Sequence, residues 1–236
     1  MSLPKIVTTK FKTELPSTKE TVWFRPFLVK EEKALLLALE SGDNEMLSKV
    51  TKDVLDACIL EPTLDATKLS FFDVQFLFLQ IRAKSVGEVS KLKYAHKDGK
   101  NRAGIECTHE TEIEIKLDEI KVTFKPEHQK KFMINEEIGV VMRYPTIDDV
   151  AFVTKEGQEL DVIARCIEQV FDANDVYTPD NHIETVEFLE SMNNEQFSKI
   201  TAFFETMPEL SHTIKYECKG CGQEDTVKLE GVGDFF

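Results

Sequence analysis

The spacing of apolar positions along this chain changes repeatedly, and each change marks a predicted boundary. Residues 8–28, TTKFKTELPSTKETVWFRPFL, alternate in places, and Pro16 and Pro26 block a helix, so the segment reads as an extended arm. The stretch LVKEEKALLLALES then turns to helical composition and predicts a helix ending before Gly42. Asp43 is placed to cap a second helix, NEMLSKVTKDVLDACI, in which Met46, Val50, Val54 and Leu55 or Ile59 recur at helical spacing. A third helix, over residues 70–83, follows Pro62. Its FFDVQFLFLQIRA segment is apolar nearly all round, the mark of a central core helix. KSVGE breaks that helix, and the period falls towards two in EVSKLKY, EIEIKL and IKVTF, which predict short strands around a polar hairpin tip, HKDGKNRAG. EIGVVMRYPT predicts one more strand, ended by Pro145. Thr146 opens a return to helix in IDDVAFVTK, LDVIARCIEQVFD, HIETVEFLESM and NEQFSKITAFFETM. After Pro208, HTIKYEC and DTVKLEG read as the two arms of a hairpin.

Blocks of helix alternate with blocks of strand, which predicts an α+β fold. It would comprise helical blocks, a small antiparallel strand region and a C-terminal cysteine-turn hairpin of zinc-ribbon character. No period of about 20 to 50 residues is present. We therefore expect one composite domain over residues 1–236. Its parts would be an extended arm (1–28), a helical block (29–87), a strand block (88–145), a second helical block (146–208), and a hairpin with an apolar end (209–236).

Charge narrows the candidate partners. Lys and Arg number 29 against 43 Asp and Glu, a net charge of −14, which repels phosphate backbones and anionic lipids. Neither nucleic acid nor a membrane is expected as a partner. The longest apolar stretch, FFDVQFLFLQI, carries Asp73 and two glutamines and is too short to span a bilayer. The N-terminal MSLPKIVTTKFKTELPS lacks the apolar segment of a signal peptide, so a soluble chain made in a reducing cytoplasm is expected. Aromatic use is lopsided, with 17 Phe, 4 Tyr and 1 Trp, which favours buried packing and apolar contacts.

Candidate chemistry concentrates at the cysteines. Cys58 and Cys166 lie in apolar settings (VLDACIL, VIARCIEQV) that suit inert buried thiols. Cys218-Lys-Gly-Cys221 lies between two predicted strands, the shape of a zinc knuckle, because Gly lets both thiolates face one cation. The two further ligands a tetrahedral site needs are offered by ECTHE, as Cys107 and His109, with His96 in reserve. Zinc held by Cys107, His109, Cys218 and Cys221 would staple the middle of the chain to its end. The alternative is a hairpin turn whose cysteines bind nothing. No GxSxG, P-loop, GxGxxG or HExxH motif is present, so catalytic residues and an enzymatic role are not expected, and no cofactor is required.

Two segments look suited to contact. VWFRPF gathers Trp23, Phe24, Arg25 and Phe27, and Trp and Arg are enriched at interface hot spots. Phe235 and Phe236 put large apolar groups at a chain end, where polar residues are usual. Each segment serves either a partner or the protein's own core.

Three stretches carry a family resemblance. FRPFLVKEEKALLLALES resembles the opening of a tail-baseplate protein family of T-even-type contractile-tailed bacteriophages, labelled baseplate hub subunit or hub assembly protein. FLFLQIRAKSVGE is similar to its middle signature, and CKGCG followed by VKLEGVGDFF to its end. The likeness spans nearly the whole chain in the same order. Where that family carries a second Cys-x-x-Cys, this chain reads Cys107-Thr-His-Glu110. The resemblance implies a non-enzymatic structural or assembly role in the baseplate hub. Its partners would be other tail proteins in a multi-protein assembly, located in the virion baseplate or in the host cytoplasm during assembly. The alternative is a zinc-ribbon regulatory protein associated with nucleic acid.

Overall fold

The computed structural model describes residues 6–96, 99–152 and 159–230. Among them the chain forms seven α-helices and several small antiparallel sheets, an α+β fold. Strands β1 (Phe11–Glu14) and β2 (Thr21–Phe24) pair as a hairpin, joined on the β2 side by β3 (Ile59–Glu61). Between β2 and β3 run helices α1 (Val29–Ser41) and α2 (Asn44–Cys58). Helix α1 stops where Gly42 takes φ 68°, a left-handed conformation that glycine adopts without penalty. Asp43 caps α2 as its sequence position predicts, accepting hydrogen bonds from the Glu45 and Met46 N–H groups. Helix α3 (Phe71–Val86) follows, then the hairpin of β4 (Val89–Tyr94) and β5 (Thr111–Lys116). A two-residue strand, β6 (Val122–Thr123), pairs with a strand near the C-terminal end, Glu209–Glu217.

The remaining elements follow a similar order, with one extra strand and one extra helix. Strands β7 (Lys131–Met133) and β8 (Gly139–Met142) form a hairpin, and β9 (Ile167–Phe171) joins β8 on its other edge, extended by β10 (Val176–Tyr177). Helices α4 (Ile147–Phe152) and α5 (Glu159–Arg165) lie between β8 and β9. Helices α6 (His182–Glu190) and α7 (Asn194–Thr206) lead to a hairpin of β11 (Glu209–Glu217) and β12 (Glu224–Glu230).

The correspondence between residues 11–116 and 131–230 extends to single atoms. The Arg25 N–H donates to the Cys58 carbonyl, and the Arg143 N–H donates to the Cys166 carbonyl. Both guanidiniums clamp a carboxylate six residues on, Arg25 to Glu31 and Arg143 to Asp149, while each carboxylate also accepts an N–H, from Leu28 and Thr146 respectively. The β2–β3 ladder skips one residue between Phe24↔Ile59 and Trp23↔Glu61, and β8–β9 skips one between Met142↔Ile167 and Val141↔Gln169. Asp53-Val-Leu-Asp-Ala-Cys-Ile59 stands where the second unit has Asp161-Val-Ile-Ala-Arg-Cys-Ile167. The chain is thus an internal duplication with a repeat of about half its length, well beyond the short periods sought in the sequence.

Among the described residues, three apolar clusters hold these units. The first gathers β2, α2 and one side of α3 around Val22, Phe24, Leu55, Leu77 and Ile81, and reaches Ile147 of the second unit. The third belongs to the second unit and packs Val140, Met142, Cys166, Leu189, Ile200 and Phe203. The middle cluster is shared: Leu79 and Ala83 of α3 and Ile113 and Ile115 of β5 meet Leu210 of β11 and Leu229 of β12. A Ser70–Thr146 bridge and a hydrogen bond from the Phe71 N–H to the Pro145 carbonyl tie the units further.

Two segments depart from expectation. Residues 8–28, expected as an extended arm, are not free-standing, since residues 11–24 fold as the β1–β2 hairpin against the first cluster. The predicted helix over 160–172 stops at Arg165, and Ile167–Phe171 runs as β9 instead. An open edge of β8 offered ladder hydrogen bonds there, and pairing with it outweighed weak local helical preference. The short strands β3, β7 and β10 carried no sequence prediction.

Candidate metal centre

The paired hairpins of the middle cluster turn their loops towards each other. In the first, Tyr94 pairs with Thr111, His96 lies two residues beyond Tyr94, and Cys107 lies four residues before Thr111. In the second, Tyr216 pairs with Asp225, Cys218 lies two residues beyond Tyr216, and Cys221 lies four residues before Asp225. The Lys93-Tyr94 and Lys215-Tyr216 steps correspond, and the two tyrosine rings meet at 6.2 Å. His96 therefore occupies the place of Cys218, and Cys107 that of Cys221.

Backbone hydrogen bonds shape both loops. The Gly99 N–H donates to the His96 carbonyl and the Cys107 N–H to the Gly99 carbonyl. The Gly222 N–H donates to the Cys218 carbonyl at 2.8 Å and the Cys218 N–H to the Gln223 carbonyl at 2.9 Å, which closes the knuckle. Arg102 crosses between the loops, giving its N–H to Gln223 Oε1 and its guanidinium to Asp225 Oδ1 at 2.6 Å. Gly220 is needed for close approach: a Cβ there would stand 2.4 Å from His109 Cβ and 3.3 Å from Cys107 Sγ.

One ligand atom from each of His96, Cys107, Cys218 and Cys221 lies within 4.8 Å of all the others. Cys107 Sγ and Cys218 Sγ are 3.8 Å apart, and His96 Nε2 is 3.2 Å from Cys221 Sγ. The His96 and Cys218 side chains are buried, and Cys221 is exposed. The thiols do not share one acidity. Backbone N–H groups of Cys221 and Gly220, with the Thr111 hydroxyl, lower Cys218 to about 6. The Gln223 N–H and the His96 ring lower Cys221. At Cys107 the His109 N–H pulls downwards, but desolvation and the neighbouring thiols outweigh it and leave the group raised. Hydrogen bonding to Cys221 raises His96. At Cys218 and Cys221 the N–H donors favour the thiolate, the form that binds a metal.

Three of the four metal ligands expected from the sequence, Cys107, Cys218 and Cys221, come together, and the imidazole among them is His96. His109 packs against the Gly220 turn and is not one of the four close donors. Glu110 is exposed just before β5 and faces Lys93 of β4. The signal that identifies His96 is the repeated Lys-Tyr-x-His/Cys step, visible once the two units are aligned.

The VWFRPF segment divides. Phe24 and Phe27 are buried in the first cluster, and Arg25 is held by Glu31 at 2.8 Å, so these three serve the protein's own core. Trp23 remains 41% exposed. Phe235 and Phe236 lie outside the described residues. Among the described residues, no helix is long and apolar enough to cross a membrane.

Comparison with known proteins returns one family model, described as T4 bacteriophage base plate protein, which matches residues 6–236. No curated protein and no solved structure matches the chain. The matched span takes in both units and both cysteine-bearing hairpins, and the chain belongs to the T4 bacteriophage base plate protein family.

Proposed function

We propose that this protein is a structural or assembly component of the baseplate hub and works by binding other tail proteins, without catalysing a reaction. The family match over residues 6–236 carries the baseplate role, and the FRPFLVKEEKALLLALES and FLFLQIRAKSVGE signatures support the hub assignment. The surface suits protein contact. Helix α1 leaves Val29 80% exposed and Leu36 53% exposed, beside exposed Leu37 and Leu39. Apolar side chains grouped on one helix are normally covered, and a partner protein covers them in an assembly. Around the cysteine turn, Glu217, Glu224 and Asp225 disfavour the nucleic-acid alternative, since phosphate binding needs cations there.

Mass spectrometry of purified phage tails and of baseplate assembly intermediates tests this reading. The chain is expected in at least one of the two fractions together with hub proteins. Its absence from both would overturn the proposal, and presence only in intermediates would mark it as an assembly factor that leaves. A salt-sensitive shift of DNA or RNA would favour the regulatory alternative.

A further inference from the structure

We propose that His96, Cys107, Cys218 and Cys221 hold one structural zinc ion, with one ligand pair from each of the two repeated units. The site stands apart from the hub assignment and does not depend on it.

Geometry is the first argument. Two thiolates about 2.3 Å from a tetrahedral zinc stand roughly 3.8 Å apart. Cys107 Sγ and Cys218 Sγ are separated by 3.8 Å. A thiolate and an imidazole nitrogen on the same ion stand roughly 3.6 Å apart, and the 3.2 Å between His96 Nε2 and Cys221 Sγ needs a shift of only a few tenths. Three cysteines and one histidine complete a tetrahedron with no open position, the donor set of a structural site.

The surroundings of His96 are the second argument. Its side chain is buried, with Nε2 turned to the thiols and Nδ1 towards Asp225 Oδ2 at 3.7 Å. Arg102 fixes that carboxylate from the other side. A carboxylate behind the far nitrogen is the arrangement that sets the tautomer and orientation of a zinc-bound imidazole.

The duplication is the third argument and is independent of both. The two loops differ in length and in most residues, yet their equivalent positions carry His96 and Cys218 in one case and Cys107 and Cys221 in the other. Packing does not require this, because Cys221 is exposed. A ligand shared by both loops does. The ion then closes the outer end of the middle cluster and clamps the two units together.

The test uses the full chain, purified without added metal, and reads zinc by elemental analysis. One zinc per chain is expected, and chelation should expose three thiols to a maleimide probe while Cys58 and Cys166 remain protected. His96→Ala and Cys221→Ser should lose the zinc, and His109→Ala should keep it. His96→Cys, which restores the residue type of the other unit, should retain one zinc per chain. With cobalt in place of zinc, it should give the visible spectrum of a four-thiolate site. This variant keeps the test decisive if His96→Ala does not fold. A chain metal-free both as purified and after addition of zinc would overturn the proposal. So would zinc lost on His109→Ala but kept on His96→Ala, or a Cys107–Cys218 disulfide in the freshly purified protein. None of these outcomes bears on where the chain sits in a phage tail, so this proposal and the hub assignment fail separately.

Discussion

Asp149→Asn should destabilise the second unit, and the loss should disappear in acid. The Asp149 side chain accepts hydrogen bonds from Arg143 Nη1 at 2.6 Å and Nη2 at 3.2 Å, from the Thr146 N–H at 2.8 Å, and from Thr146 Oγ1 at 2.9 Å. The Asp149 N–H faces Thr146 Oγ1 in return, a reciprocal cap on the start of α4. The asparagine keeps the shape but removes the charge and turns an NH2 towards donors. Hydrogen bonds to charged groups contribute about 1.5–3 kcal/mol each and are not additive. The Arg143 side chain is 35% exposed, so water recovers part of what it loses. We expect a net cost of about 2–3 kcal/mol, and a Tm lower by roughly 4–12 °C for a chain of this size. Burial pushes the Asp149 carboxyl up, but Arg143 and Thr146 prevail and hold it below its ordinary value. A group lowered in this way contributes its full stabilisation above the unfolded pKa, and the contribution is lost as pH falls through the folded one. Urea denaturation followed by circular dichroism, from pH 7 down to about 3, should show the gap between wild type and variant closing below the ordinary carboxylate range. A gap under about 0.5 kcal/mol at pH 7, or one that stays constant with pH, would refute the reasoning. Glu31→Gln, at the corresponding clamp of the first unit, should follow the same course.

Three further outcomes follow from particular contacts. Gly139→Ala would place a Cβ 2.2 Å from the Phe171 ring, which lies across the strand, and should cost about 1–3 kcal/mol in chemical denaturation. Leu79→Ala, which opens the shared middle cluster, should cost about 2–5 kcal/mol. Burial pushes the Cys58 thiol up to about 11 and the Cys166 thiol up to about 12, so at pH 8 both should resist a thiol reagent until the chain unfolds.

Much of the local structure was legible because local causes fix it. The Asp43 cap, the glycine stop after α1, the apolar α3 and the alternation in β4, β5, β11 and β12 all rest on near neighbours in sequence. What escaped depends on distant partners. Ile167–Phe171 carries residues compatible with either state, and only the free edge of β8 makes it a strand. The pairing of Cys107 with the knuckle was legible from residue type, but the choice of His96 over His109 was not. It depends on which imidazole the fold brings to the thiols: His109 is nearer Cys107 in sequence, but it packs against Gly220 and is not among the four close donors. The duplication was hidden because its identities are few, an arginine, an Asp-Val pair, a Cys-Ile pair and a Lys-Tyr pair, set in segments whose lengths have diverged.

Helix α3 sends Leu77, Phe78 and Ile81 into the first cluster and Leu79 and Ala83 into the middle one. Its 16 residues make a rod of about 24 Å with a firm anchorage on both flanks. Displacing the β11–β12 hairpin would therefore load the N-terminal sheet through this one helix.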